Sequence, residues 1–262
     1  MLPAALFLTL AVLASSPQDT LAQRFPPPAG YVREDAAPSS FATWLRALPL
    51  RPAGSPVRLY TGALKRRQDV HAGVLALDTG TRDLQQCADA VIRLRAEYLY
   101  ARGRLSELHF RTTSGEPLPF ARWAAGERPQ VRGRHVTWTQ GGRAGTDRAN
   151  LRAYLDVVFT YAGTQSLAQE LRRVDVTHLQ AGDVFLQPGA PGHAVLVVDT
   201  AVQPRTGARL FLLAQGYMPA QDVHVLRNLE QPLLGAWYAL DFGEQLRTPE
   251  WTFTPKDLWR FE

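Results

Sequence analysis

Residues 182–199 read GDVFLQPGAPGHAVLVVD, and residues 210–217 read LFLLAQGY. Three apolar runs lie in them: Val184–Leu186, Ala194–Val198 and Leu210–Ala214. Turn formers separate the runs, Pro188, Gly189, Pro191 and Gly192 in the first gap and Pro204 and Gly207 in the second. Short Val-, Leu- and Phe-rich runs between such breakers predict strands, and the brief connections predict antiparallel neighbours. Helical spacing surrounds them. Phe41, Trp44, Leu45 and Leu48 mark one helix face, closed by Pro49. A longer helix is predicted from Leu84 to Ala101, opened by the D-x-x-Q pair Asp83 and Gln86 and ended by Arg102-Gly103. Leu151–Tyr161 carries Leu151, Tyr154, Leu155 and Val158 on one face, and Ser166–Val174 reads as a shorter helix. Val57–Tyr60, Ala72–Leu77 and Leu105–Thr112 read as further strands. Leu118–Gly145, rich in Trp, Arg and Gly, reads as loop, and the aromatic tail from Trp237 to Phe261 is expected to pack back on the core. Helices and strands followed by a compact antiparallel sheet describe an α+β fold.

With 262 residues, 45% hydrophobic and 20% charged, the chain can bury a sizeable core, and wholesale disorder is excluded. Its one cysteine excludes an internal disulfide and any multi-cysteine metal site. No glycine-rich phosphate loop, dinucleotide fingerprint or H-x-x-H spacing occurs, so no cofactor and no metal is expected. The net charge of +5 rests on scattered arginines, with Lys65 and Lys256 the two lysines. Nucleic-acid binding calls for a concentrated basic face, so no nucleic-acid partner is expected. Leu2–Ala14 is an apolar run too short to cross a roughly 30 Å hydrocarbon core. Small residues follow it as far as Ala22, which suits a cleaved leader over residues 1–22. The mature protein is then exported, periplasmic or extracellular, with no stable membrane insertion. Pro26-Pro27-Pro28 and Pro38 make residues 23–40 an extended N-terminal arm, and residues 41–262 form the single α+β domain.

Cys87 falls near the start of the long predicted helix, where unpaired N–H groups and the positive dipole end favour a thiolate. It also shares the apolar face of Leu84, Val91, Leu94 and Tyr98, and free cysteine is commonly a small buried hydrophobe. His193 opens the run HAVLVVD. Two-residue alternation places it on one face with Val195, Val197 and Asp199, but Asp199 lies roughly 20 Å along the strand, too far to orient the ring. Antiparallel registers bring Gln215 of the next strand opposite or diagonal to His193, where its carbonyl oxygen can accept the second imidazole N–H. His71 opens another apolar run and competes as a base. His224 reads as a surface-strand residue, and Asp199 and Asp222 as solvated strand-end charges. A zinc set of His193, His224 and Asp222 can be written, without supporting spacing.

The blocks SFATWLRALPL (40–50), DLQQCADAVIRLRAEYLY (83–100), GDVFLQPGAPGHAVLVVD (182–199), FLLAQGYMPAQDVHVL (211–226) and TPEW (248–251) resemble an exported bacterial family known as domain of unknown function 4846. That resemblance covers about Phe41 to Phe261 and implies one domain at the cell envelope. The segments Gly182-Asp183-Val184-Phe185, Gly192-His193-Ala194-Val195 and Gln215-Gly216-Tyr217 are similar to cysteine-histidine-dependent amidohydrolase/peptidase (CHAP) domains. Those are papain-like enzymes in which an antiparallel sheet packs against helices. The likeness implies Cys87 as nucleophile, His193 as base and Gln215 as orienting residue, acting on peptide or peptidoglycan amides through a thiolate–imidazolium pair. The oxyanion would be held by the Cys87 N–H with Gln85 or Gln86. The rival reading is a non-catalytic envelope binding or scaffold protein, with Cys87 in the core and Trp123 and Trp138 forming a ligand surface.

Overall fold

The strands read from residues 182–217 form the middle of the sheet. The computed structural model describes residues 19–262, and the apolar run Leu2–Ala14 lies outside them. In chain order the main elements are β1 (Val32–Arg33), α1 (Phe41–Arg46), β2 (His71–Val74), α2 (Cys87–Ala101), α3 (Arg148–Tyr161), β3 (Leu171–Arg173), β4 (Val184–Gln187), β5 (His193–Val202), β6 (Arg209–Gln215), β7 (His224–Leu226), β8 (Trp237–Ala239) and β9 (Leu258–Phe261). They build an antiparallel sheet in the order β2-β7-β6-β5-β4-β9-β3, with β1 paired to β5 and β8 to β6. The aromatic tail returns as expected, since β9 inserts between β4 and β3. The architecture is mixed helix and antiparallel sheet. No helix among the described residues is long and apolar enough to cross a membrane.

Both faces of the sheet are covered, which is why β5 reads as an unbroken apolar run. Ala194, Leu196, Val198 and Ala201 face a core shared with Val91 and Leu94 of α2 and with Leu151, Leu155 and Val158 of α3. On the other face Val195 and Val197 join Phe185, Phe211, Leu213, Leu246 and Phe253. Burying a Leu, Val or Phe side chain contributes roughly 1.5–3 kcal/mol, so these two layers fix which way each strand turns its side chains.

One irregularity decides the fate of Asp199. Leu212 pairs with Asp199 but Leu213 pairs with Val197, so Val198 is an extra residue in β5. The bulge breaks the two-residue alternation and turns Asp199 away from the face of His193. The carboxylate is fully buried between Arg33 Nε at 2.6 Å and Arg46 Nε at 2.5 Å, where a solvated charge was expected. Asp222 is likewise buried, held by both Nη atoms of Arg51 at 2.8 Å and by the Arg58 N–H at 2.9 Å.

Elsewhere the structure departs from the local pattern. Ser166–Val174 splits into one helical turn, Thr164–Leu167, and strand β3. Within Leu118–Gly145, where loop was expected, a turn of helix at Phe120–Ala124 precedes a hairpin of Glu127–Arg132 with His135–Gln140. Gly133, with φ of +59°, makes its tight turn. Residues 23–40 are extended but docked: β1 pairs with β5, and the Trp237 indole donates to the Pro26 carbonyl at 3.1 Å. Leu21, inside the expected leader, is fully buried, and its N–H donates to Leu48 O at 2.9 Å.

Helix α2 meets the end of β6 at Gly216. A Cβ on Gly216 would stand 2.7 Å from the Gln86 carbonyl oxygen and 3.0 Å from Ala90 Cβ. Gly216→Ala is expected to destabilise the fold by about 1–3 kcal/mol, as overpacking does. The measurement is the urea midpoint at constant m-value. An unchanged midpoint would show that the helix start has room to retreat.

Candidate functional site

The long helix begins three residues later than the sequence predicts, and this changes the setting of Cys87. Gln86 is its N-cap and Cys87 its first helical residue, not one a turn further in. Asp83, expected as the cap, instead accepts the Ala220 N–H at 2.6 Å and Gln86 Nε2 at 3.0 Å. It thereby ties the approach to α2 to the loop after β6. As first helical residue, Cys87 has a backbone N–H with no intrahelical acceptor. Its side chain is partly buried. The Ala88 and Ala194 backbone N–H groups face the thiol, so the helix mouth abuts the strand immediately after His193.

His193 Nε2 lies 2.8 Å from Gln215 Oε1. The β5–β6 register explains the meeting. Ala214 pairs with Leu196, so continuing the ladder by one residue sets Gln215 across from Val195 and diagonal to His193. The imidazole is enclosed by the Tyr217, Trp251 and Phe253 rings, with centroids at 5.1, 5.2 and 6.0 Å. Behind Gln215 stands a polar chain that the local pattern did not reveal. Gln215 Nε2 donates to Glu250 Oε2 at 2.8 Å, and Lys65 Nζ donates to Glu250 Oε1 at 2.7 Å. Gln215 Nε2 also lies 3.4 Å from His224 Nε2. His224 is fully buried in β7, where a surface residue was expected, with Nδ1 2.9 Å from Asp222 O. Lys65 Nζ sits 4.8 Å from the centroid of the Tyr217 ring. Two signals pointed this way: Lys65 is one of two lysines in an arginine-rich chain, and Glu250 and Trp251 lie in the TPEW block.

The remaining candidates fall elsewhere. His71 Nε2 lies 3.1 Å from Ser55 O. Asp222 is occupied by Arg51 and Arg58, so its carboxylate does not converge with His193 and His224. Gln85 is fully buried, its oxygen accepts from Arg93 Nη1 at 3.1 Å, and its Nε2 has no partner among the described residues. Trp123 is buried with its indole donating to Asn150, while Trp138 is partly buried beneath the Arg122 guanidinium at 4.7 Å. The pair therefore offers no joint aromatic surface. Two cavities are lined by neither Cys87 nor His193. One of about 680 Å³ is lined by Asn228, Tyr238, Phe242 and Arg247, and another of about 400 Å³ by Arg95, His109 and Glu170.

Burial pushes the Cys87 thiol up, the neighbouring Asp89 carboxyl adds to this, and the Ala88 and Ala194 N–H groups oppose it. Burial pulls His193 down to about 4 against the opposing pull of Gln215 and Glu250, and His224 down to about 3. Both shifts favour the uncharged thiol and neutral imidazole over a thiolate–imidazolium pair.

Asp89, in the first turn of α2, is buried with Oδ1 unpartnered, and burial raises its pKa to about 8. An unfolded aspartate ionises near 3.8, so the folded chain retains a proton through that window. Its contribution to stability is complete below pH about 3.8 and is lost as pH rises towards 8. Wild-type urea midpoints are expected to fall from pH 5 to pH 8, and Asp89→Asn to flatten that slope. Equal slopes in the two proteins would mean that Asp89 is ionised when folded.

No curated protein and no solved structure matches the chain. A family model described as Domain of unknown function (4846) matches residues 21–260, a span that begins with buried Leu21 and takes in the whole site. The chain belongs to that family.

Proposed function

We propose that this protein is an exported, papain-like thiol hydrolase that cleaves amide bonds of peptides or peptidoglycan stems, with Cys87 as nucleophile, His193 as base and Gln215 orienting the ring. The observation that carries the reading is the 2.8 Å contact of His193 Nε2 with Gln215 Oε1, together with a cysteine that opens a helix and whose thiol faces the N–H of Ala194, the residue after His193. A carboxamide oxygen accepts from Nε2–H, which leaves the Nδ1 lone pair free to take a proton. In the reaction His193 Nδ1 takes the Cys87 thiol proton as Sγ bonds to the amide carbonyl carbon. The C–N bond then breaks, and the proton passes to the leaving nitrogen, giving an acyl-thioenzyme and a free amine. Water next loses a proton to His193 and attacks the thioester, releasing the acid and returning the proton to sulfur. The unpaired Cys87 N–H, with the second amide hydrogen of Gln86, supplies donors for the oxyanion.

The test is amine release from purified peptidoglycan and from mixed peptide amides by the native protein. Turnover that disappears in Cys87→Ala supports the reading, and absence of turnover on every amide class overturns it. The raised thiol, the nearly inaccessible His193 and a cavity of about 680 Å³ lined by other residues favour a second reading, a scaffold that keeps the frame without the chemistry. Alkylation of Cys87 only after unfolding would select it.

A further inference from the structure

Gln215 can serve His193 in either of two orientations, because a carboxamide presents an acceptor on one side and donors on the other. What surrounds it removes the choice. A carboxylate only accepts, so Glu250 Oε2 at 2.8 Å must face the Gln215 NH₂ group. His224 Nδ1 donates to Asp222 O at 2.9 Å, so its Nε2 is an acceptor and likewise faces that NH₂, across the longer 3.4 Å gap. The Gln215 oxygen is thereby turned to His193, whose Nε2 must carry the hydrogen. Lys65 Nζ, on the other Glu250 oxygen at 2.7 Å, holds the carboxylate in place. All three polar groups of this relay are buried, so none can exchange its partner for bulk water without opening the fold.

We propose that Lys65 and Glu250 are positioning residues that, through the orientation of the Gln215 amide, hold neutral His193 in its Nε2–H form and keep Nδ1 as the ring's base. The role of that base rests on the hydrolase reading above; the tautomer itself does not. In Glu250→Gln, Lys65 claims the new amide oxygen, so the NH₂ of residue 250 turns towards Gln215. The Gln215 amide then flips, giving up the longer 3.4 Å contact with His224 Nε2, offers its own NH₂ to His193, and drives the ring proton to Nδ1. Glu250→Asp retains an acceptor-only group and is expected to preserve the wild-type form.

The experiment is nitrogen-15 NMR of histidine-labelled protein, with His193 assigned by its loss in His193→Gln. Wild-type His193 is expected as a single Nε2–H tautomer at neutral pH. In Glu250→Gln the Nδ1–H form should become the major one, with native folding verified by circular dichroism. If turnover is found, kcat should fall at least 10-fold in that variant while KM stays within 2-fold. An Nδ1–H tautomer in the wild type, which needs no variant to observe, overturns the proposal. So does a folded Glu250→Gln protein that keeps the Nε2–H form. A tautomer switch in a protein with no amide turnover would uphold the relay and remove the hydrolase reading, so the two failures are separable.

Discussion

Replacing Asp199 with alanine is expected to lower the unfolding free energy by about 3–5 kcal/mol, a large share of the roughly 5–15 kcal/mol that ordinarily holds a domain folded. The carboxylate is fully buried, accepts from Arg33 and Arg46, and also takes the Thr200 N–H at 2.9 Å. Removing it leaves two guanidinium groups facing one another. Arg33 retains 26% side-chain exposure and Arg46 14%, so water relieves part of the penalty and the lower end of the range applies. Arg33 also donates to the Ala22 and Phe25 carbonyls, so the loss should loosen the N-terminal arm from the sheet. Urea unfolding measures the first effect, and hydrogen exchange across residues 20–35 the second. A loss below about 1 kcal/mol would mean that the triad is no more than a surface pair in energy.

On the proposed hydrolase reading, the largest kinetic effects belong to Cys87 and His193. His193→Ala is expected to lower kcat by about 10²–10⁴-fold, the usual contribution of a positioned general base, and Cys87→Ala to remove turnover. Because burial holds the imidazole near 4, the base form persists well below the ordinary histidine range. Protonation removes the base, so the rate falls as pH drops through about 4. Activity is therefore expected to stay level between pH 5 and 7, with its acidic limb near 4. An acidic limb at 6.5 would indicate a solvated ring and contradict the packing of Tyr217, Trp251 and Phe253 around it.

The contact between His193 and Gln215 was legible because it depends on one antiparallel register between neighbouring strands, and turn residues and apolar runs fix that register. The helix that carries Cys87 was legible in its body but not at its start. Asp83 and Gln86 satisfy the spacing of a capping box, yet Asp83 spends its carboxylate on the Ala220 N–H, a partner 137 residues away. Asp199 was misplaced for a similarly local reason. One extra residue in β5 reverses the face of everything after it, and no composition signal marks Val198 as that residue. Glu250 and Lys65 carried only indirect marks, the TPEW block and a rare lysine, and nothing local pairs either with Gln215. The first meets Gln215 across 35 residues and the second meets Glu250 across 185, and such pairings follow from the packed sheet, not from periodicity.

The most direct measurement is intact-mass analysis of the folded protein after exposure to a peptidyl fluoromethyl ketone, comparing the wild type with His193→Ala at neutral pH. A hydrolase site yields one adduct on Cys87 in the native wild type and much slower modification without the imidazole. Equal rates in the two proteins, or an adduct formed only once the chain is unfolded, would contradict the pairing of Cys87 with His193.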